Sequence, residues 1–185
     1  MIELPFGNEQ GFGRMHTAVR MVLPIIPALS AASPFLEGAR AQGLSARLLA
    51  LMEGTAGFPE LTASFLPEVV LDQAEYYRNV LEPIAMALAE RGLADRIDYH
   101  AVNQRAAVPA FDRGTIVIHM ADTQECVGAD VAIAEMTLAV VNAMRSGRWA
   151  SDYLQRAWHE SDLLAILKDV VKEGGGTTIT NSDYL

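Results

Sequence analysis

The side chains able to carry acid–base or metal chemistry are few. His119 interrupts the apolar run 115–121 and is followed closely by Asp122. Histidine titrates near neutral pH, so His119 is either a site residue or a core histidine bonded to backbone groups. Glu9 and Glu125 could form an acid–base pair, although no spacing links them.

Other reactive residues favour structural interpretations. The glycine-rich segment 7–13 lacks both the Lys-Ser/Thr pair and the GxGxxG spacing of phosphate loops, so it favours a turn that caps the next helix. His16 falls within an amphipathic helix, which favours a packed or surface residue over a ligand. His100 lies on a strand candidate, and a solvated role is the default for His159. We expect Cys126 to be a small buried residue rather than a reactive thiol.

Composition limits the class of protein. The 185 residues are 51 % apolar and 20 % charged, which is typical of one globular domain over residues 1–185. The net charge of −9 disfavours a nucleic-acid partner, because phosphate binding needs a basic patch. A single cysteine excludes an internal disulfide and favours a cytoplasmic protein. The longest apolar run, 21–29, contains two prolines and is shorter than the roughly 20 residues of a membrane span, so we expect no membrane partner.

Residue patterns predict alternating helices and strands. The clearest strand is 115–121, where alternation places Ile116 and Ile118 on one face and Val117 and His119 on the other. A strand over 97–102 could pair with it antiparallel. The remaining predictions are a strand at 2–6, a helix at 9–32 that Pro24 and Pro27 interrupt, an irregular stretch at 38–67, and helices at 72–91, 128–144, 149–158 and 161–173.

The predicted fold class is α+β, with an antiparallel sheet and helices packed on one of its faces. Two or three short strands are too few to cover about five helices, so we expect the sheet to be partial, with N-terminal strands missing. The abrupt strand at residue 2 agrees with this expectation. An exposed sheet edge invites pairing with another chain, so we expect a homo-oligomer formed through that edge.

Two segments give the sequence a family resemblance. Residues 23–38 read LPIIPALSAASPFLEG, and residues 111–126 run from FDRGTI to DTQEC. Both resemble the glutamate–cysteine ligase family, in its bacterial carboxylate–amine ligase branch. Shorter matches occur at Leu4-Pro5-Phe6, Arg47, Pro67-Glu68 and Arg105, in family order.

The resemblance implies an ATP- and Mg²⁺-dependent ligase, of the kind used in glutathione biosynthesis. Such enzymes phosphorylate the carboxylate of glutamate or a similar acid, and an amine such as that of cysteine displaces the phosphate. The partners implied are small amino-acid substrates. The implied fold is that of glutamine synthetase and glutamate–cysteine ligase, a curved antiparallel sheet with helices on its outer side.

The resemblance also assigns roles to residues. Arg105 and Arg47 match family arginines near the substrates, where a planar guanidinium can hold an anion in bidentate fashion; plain surface charge is the alternative. Asp122 matches the aspartate that closes the family strand, and with Arg105 and His119 it makes up the predicted catalytic set. Arg47 and Arg105 are the predicted cofactor-binding residues. Glu3, on a strand where the family has a polar site residue, is the predicted metal ligand.

Two departures from the family pattern affect one predicted face. The metal-binding glutamate of the family falls at Val117, and its phosphate-facing arginine falls at His119. Valine cannot bind Mg²⁺, and histidine is mostly uncharged at neutral pH. The family's N-terminal GxExE metal motif has no counterpart in this sequence. The chain is therefore either part of an active ligase or a degenerate, non-catalytic domain that binds a ligand at most or is completed by another chain.

Overall fold

The computed structural model describes residues 1–54 and 65–184. Its strands are β1 (Ile2–Pro5), β2 (Phe35–Leu36), β3 (Ala39–Arg40), β4 (Ala107–Ala110) and β5 (Thr115–Ile118). Its α-helices are α1 (Glu9–Val22), α2 (Ile26–Ser30), α3 (Ala46–Gly54), α4 (Gln73–Tyr76), α5 (Glu82–Glu90), α6 (Val127–Arg145), α7 (Asp152–Ala157) and α8 (Glu160–Glu173). A 3₁₀ turn, Leu23–Ile25, separates α1 from α2, and a π-helical segment, Tyr77–Leu81, joins α4 to α5.

The main sheet is antiparallel, in the strand order β1-β5-β4. Val117 lies opposite Glu3 of β1 on one side and opposite Val108 of β4 on the other. These three residues and Thr115 define one face of the sheet, which we call the Glu3 face. The opposite face carries the buried Ile116 and Ile118. The α+β class is therefore confirmed, and so is the predicted alternation over 115–118.

Local sequence explains how α1 begins against the sheet. Gly7 adopts φ +84°, a conformation that favours glycine, and Asn8 caps the helix by accepting a hydrogen bond from the Gly11 amide at 2.9 Å. A Cβ atom at Gly11 would lie 2.1 Å from the Phe6 carbonyl oxygen, and one at Gly13 would lie 2.0 Å from that of Leu71. The glycine-rich segment is thus a capped turn with close backbone packing, as the sequence indicates.

The core forms where α1 packs between the sheet and the other helices. Phe12, Met15 and Val19 are at most 1 % exposed and belong to one apolar cluster with Ile116 and Ile118. The helix predicted over 9–32 is interrupted as expected, because each proline removes a backbone donor. The result is α1, a 3₁₀ turn and the short α2.

Several sequence-based expectations are wrong. Residues 97–102 form turns rather than a strand, and the partners of β5 are β1 and the unpredicted β4. The stretch 38–67, predicted to be irregular, contains β3 and α3; its residues 55–64 lie outside the described part of the chain. Cys126 is exposed rather than buried.

Helix α6 is unusually apolar for its exposure. An 18-residue window within it has a mean hydropathy of 1.5, and 17 % of that window is buried. In the described residues it is the one helix long and apolar enough to cross a membrane, which by itself is weak evidence of a span. Its buried side chains, Thr137, Val141 and Met144, are on the side that packs along α1. The expectation of no membrane partner remains a prediction.

Candidate functional site

The Glu3 face brings together a carboxylate, a hydroxyl and a guanidinium. Thr115 Oγ1 donates a hydrogen bond of 2.6 Å to Glu3 Oε1, and Arg113 Nε lies 3.0 Å from the same oxygen. The Arg113 and Glu3 side chains are 57 % and 41 % exposed, so the pair is well solvated. Val117 is only 7 % exposed and presents no polar group beside Glu3. This face therefore offers one anion, already paired with a cation.

A second group of polar residues surrounds Asp122, and we call it the Arg47 cluster: Ser33, Ser45, Arg47 and Asp122. Asp122 Oδ1 accepts a 2.6 Å hydrogen bond from Arg47 Nε. Its Oδ2 accepts from Ser33 Oγ at 2.7 Å, from Ser45 Oγ at 3.0 Å and from the Ala32 amide at 3.0 Å. Burial raises the pKa of Asp122, but the hydrogen bonds from Ala32, Arg47 and Ser33 and the positive charge of Arg47 outweigh it and hold the pKa below its usual value. Asp122 therefore acts as a buried anchor in this structure.

The Arg47 guanidinium links this cluster to the end of β5. Besides Asp122, it donates to the backbone carbonyls of His119 and Met120, at 3.2 and 2.9 Å. The Arg47 side chain is 38 % exposed, although each of its three guanidinium nitrogens donates to an oxygen of the protein. Arg47, His119 and Asp122, predicted from separate parts of the sequence, are thus brought together.

The two segments that carry the family resemblance contact each other here. Gln124 Nε2 donates to the Ser30 carbonyl at 2.9 Å and to the Asp122 carbonyl at 3.0 Å. Together with the bonds from Ala32 and Ser33 to Asp122, these contacts join 23–38 to 111–126. The polar residues of both segments therefore hold the two segments together beside the sheet.

His119 follows β5, and its amide donates to the Ala106 carbonyl at 2.8 Å. The residue is exposed. Even so, the surrounding protein removes enough water to lower the pKa of His119, and the positive charges of the Met1 amino group and Arg47 lower it further. His119 is therefore predominantly neutral at pH 7. It does not supply the fixed positive charge that an arginine would have there.

Arg105 lies elsewhere, in a buried ion pair. Its side chain is 2 % exposed, and its Nε and Nη2 contact the two Glu68 oxygens at 2.6 and 2.5 Å. Its Nη1 also donates to Asn103 Oδ1 at 3.2 Å. The predicted bidentate anion contact thus exists, but its partner is a carboxylate of the same chain.

Beside this pair lies a second buried cation, Arg20, and a neutral histidine. Arg20 is 1 % exposed and donates to the carbonyls of Pro67 and Trp158 at 2.7 and 3.3 Å. Burial lowers the pKa of His16 to about 3, and the charges of Arg20, Arg105 and Arg156 lower it further. Neither ring nitrogen of His16 has a hydrogen-bond partner among the described residues. As the sequence favours, His16 is a packed residue.

His16 should make the fold sensitive to mild acid. Between its unfolded pKa of about 6.5 and its folded pKa of about 3, the unfolded chain binds one more proton than the folded chain. Stability must therefore fall as the pH drops through this window, by up to about 1.4 kcal/mol per unit. In urea denaturation, we expect His16→Leu to reduce the loss between pH 6.5 and pH 5 by about 2 kcal/mol. His159→Gln, which replaces an exposed histidine, is the control and should lose as much stability as the wild type over the same pH range. If His16→Leu and the wild type lose stability equally, His16 is not the source of the acid sensitivity.

The residues of the Glu3 face do not fit Mg²⁺ as they stand. Mg²⁺ prefers several oxygen ligands in near-octahedral geometry, usually with one or two carboxylates. Among residues 1–54 and 65–184, no three His, Cys, Asp or Glu side chains lie close enough to hold a metal ion. Glu3, the predicted metal ligand, is instead paired with Arg113.

Four residues that pair with the predicted site residues were not predicted from the sequence: Ser33, Ser45, Glu68 and Arg113. Ser33, Glu68 and Arg113 fall inside segments that match the family, but a match does not reveal which residue a polar side chain pairs with. Arg113 precedes the hairpin glycine Gly114, a typical surface position. Ser45 carries no sequence signal that we can identify.

Fold and site together define an α+β protein whose antiparallel sheet has a helix-covered apolar face and a Glu3 face flanked by the Arg47 cluster. The sequence model of glutamate–cysteine ligase family 2 (GCS2) matches residues 1–174. The chain belongs to this family, which confirms the resemblance carried by the two segments.

A relative occurs in Archaeoglobus fulgidus, under the description "Uncharacterized protein". It is 30 % identical to this chain over 142 residues, which are 77 % of this chain and 38 % of the relative. The chain thus spans less than half the length of this relative.

Proposed function

We propose that this chain contributes a helix-backed sheet to an ATP-dependent carboxylate–amine ligase, and that by itself it binds Mg·ATP weakly. In the proposed reaction, a substrate carboxylate oxygen attacks the γ-phosphorus of ATP and ADP leaves. The amine then attacks the acyl carbon, phosphate leaves and an amide forms. Family membership supports this reaction class. The amino-acid substrates, the glutamine synthetase-like fold and the cytoplasmic location remain parts of the proposal.

The observation that carries the proposal is the register of β1 and β5. It places Glu3 directly opposite Val117, the position that the resemblance assigns to the metal-binding glutamate. Opposed residues in an antiparallel pair have Cβ atoms about 4.5–5.5 Å apart, close enough for two carboxylates to share one cation. This register supports the proposal of a two-carboxylate metal site in the family, in which the second carboxylate is missing from this chain.

Calorimetric titration of Mg·ATP into the purified chain tests the proposal. We expect a dissociation constant weaker than about 1 mM, because one solvated carboxylate and a neutral histidine provide little attraction for a metal–phosphate complex. Micromolar binding that requires Mg²⁺ would show that the chain holds the nucleotide without a second carboxylate, and would contradict the proposal.

A second candidate function is that of a non-catalytic domain completed by another chain. The observation that favours it is the outer edge of β1, which pairs with no strand among the described residues. A free strand edge presents unpaired amide and carbonyl groups that can add a strand.

We therefore expect dimers in sedimentation velocity at micromolar concentration. A variant with Glu3→Pro, which removes an edge donor, should shift the chain toward monomer. A wild-type chain that stays monomeric would exclude association through this edge.

A further inference from the structure

A polar cleft lies between the start of α1 and the end of α6. Its volume is about 810 Å³, and it is lined by Gln10, Gly11, Arg14, Asn142, Arg145 and Ser146. It shares no residue with the Glu3 face or with the Arg47 cluster. The lining offers two guanidinium groups, two side-chain amides and a hydroxyl, and within the described residues no carboxylate.

Helical spacing explains how these side chains converge. Gln10 and Arg14 are four residues apart on α1, so they lie one above the other on the same face. Asn142 and Arg145 are three residues apart at the end of α6, and Ser146 caps that helix. Because α1 packs along α6, the two ridges of donors face one cleft.

The two arginines form no ion pair with any residue that the structure describes. Every residue from Phe12 to Val22 of α1 is buried except Arg14, which is exposed at the cleft. No ion pair among residues 1–54 and 65–184 involves Arg14 or Arg145, although the chain has 23 acidic residues against 14 basic ones. Two like charges that line one cleft repel each other, and an anion held between them would remove that repulsion.

We propose that this cleft binds a small organic molecule with two anionic groups, either phosphates or carboxylates. Guanidinium groups hold both kinds of oxyanion through paired hydrogen bonds, and the amides of Gln10 and Asn142 add neutral donors. The volume exceeds that of a single phosphate and lies within the range of about 300–1,000 Å³ typical of small-molecule sites. The polar lining selects charged ligands over apolar ones.

Calorimetry with pyrophosphate and succinate, in buffer free of divalent cations, tests this site. We expect saturable binding of at least one dianion, tighter than that of inorganic phosphate or acetate. Arg14→Gln and Arg145→Gln should each weaken binding about tenfold, because each removes a charge-assisted contact. Preference for pyrophosphate assigns a phosphorylated ligand and preference for succinate a dicarboxylate; both outcomes support the proposal.

Arg148→Gln is the matched control. Arg148 is exposed just beyond the same end of α6 but does not line the cleft, so its loss changes the net charge equally. We expect unchanged affinity in this variant and unchanged thermal unfolding in all three. Equal weakening by Arg148→Gln, or no saturable binding of any probe up to about 10 mM, would overturn the proposal. The result does not depend on Mg·ATP binding, so this proposal can fail while the proposed function stands.

Discussion

Replacing Arg105 with alanine is expected to lower the free energy of unfolding by about 3–5 kcal/mol, which is a large part of the stability of a domain this size. The substitution leaves the Glu68 carboxylate, 24 % exposed, without its bidentate partner. It also removes the donor to Asn103 and opens a cavity where a side chain 2 % exposed had packed. Urea denaturation monitored by circular dichroism measures the loss.

Two further variants separate this effect from a general loss of charge. Arg113→Ala breaks an exposed ion pair with Glu3 and should cost less than about 1 kcal/mol. The double variant Arg105→Met/Glu68→Leu replaces both charges by apolar side chains, and it should recover much of the stability lost in Arg105→Ala. If Arg105→Ala unfolds at the same urea concentration as Arg113→Ala, the buried pair contributes no more to stability than the exposed pair, and the expectation is wrong.

The contrast between Arg47 and Arg105 shows how far sequence could assign the site. Both match family arginines, and in sequence both are single cations with no visible partner. The structure makes Arg105 the buried partner of Glu68, with a side chain 2 % exposed, whereas the Arg47 side chain beside His119 is 38 % exposed. Both arginines pair with a carboxylate distant in sequence, and burial separates them. Neither the 75 residues between Arg47 and Asp122 nor the 37 between Glu68 and Arg105 leave a periodic signal.

The strands show the same limit for the fold. Thr115–Ile118 is rich in β-branched residues, and its existence and alternation are predictable. Its partner β4 reads Ala-Val-Pro-Ala, a composition unfavourable for strands, and forms because β5 supplies its hydrogen bonds. Residues 97–102 have a better strand pattern but make no such pairing and form turns. Local propensity therefore predicts the central strand, whereas tertiary pairing selects its neighbours.

Restoring the family residues on the Glu3 face should create Mg²⁺-dependent nucleotide binding. In the double variant Val117→Glu/His119→Arg, the new carboxylate lies directly opposite Glu3, and the arginine supplies a charge that the neutral His119 lacks. We expect Mg·ATP to bind at least about tenfold more tightly than to the wild type, which corresponds to about 1.4 kcal/mol. Calorimetry with and without Mg²⁺ measures the change.

Stability gives an independent readout of the same metal pair. Position 117 is 7 % exposed, so without metal a carboxylate there is both desolvated and repelled by Glu3. Val117→Glu should therefore lower the melting temperature, and millimolar Mg²⁺ should partly restore it by bridging the two carboxylates. Val108→Glu is the matched control, because position 108 lies on the same face but one strand beyond Val117. Strands about 4.8 Å apart place positions 3 and 108 roughly 10 Å apart, too far for one Mg²⁺ to bridge. Equal Mg²⁺ responses from the two single variants would mean that any added carboxylate suffices, and that the register of β1 and β5 does not define a metal site.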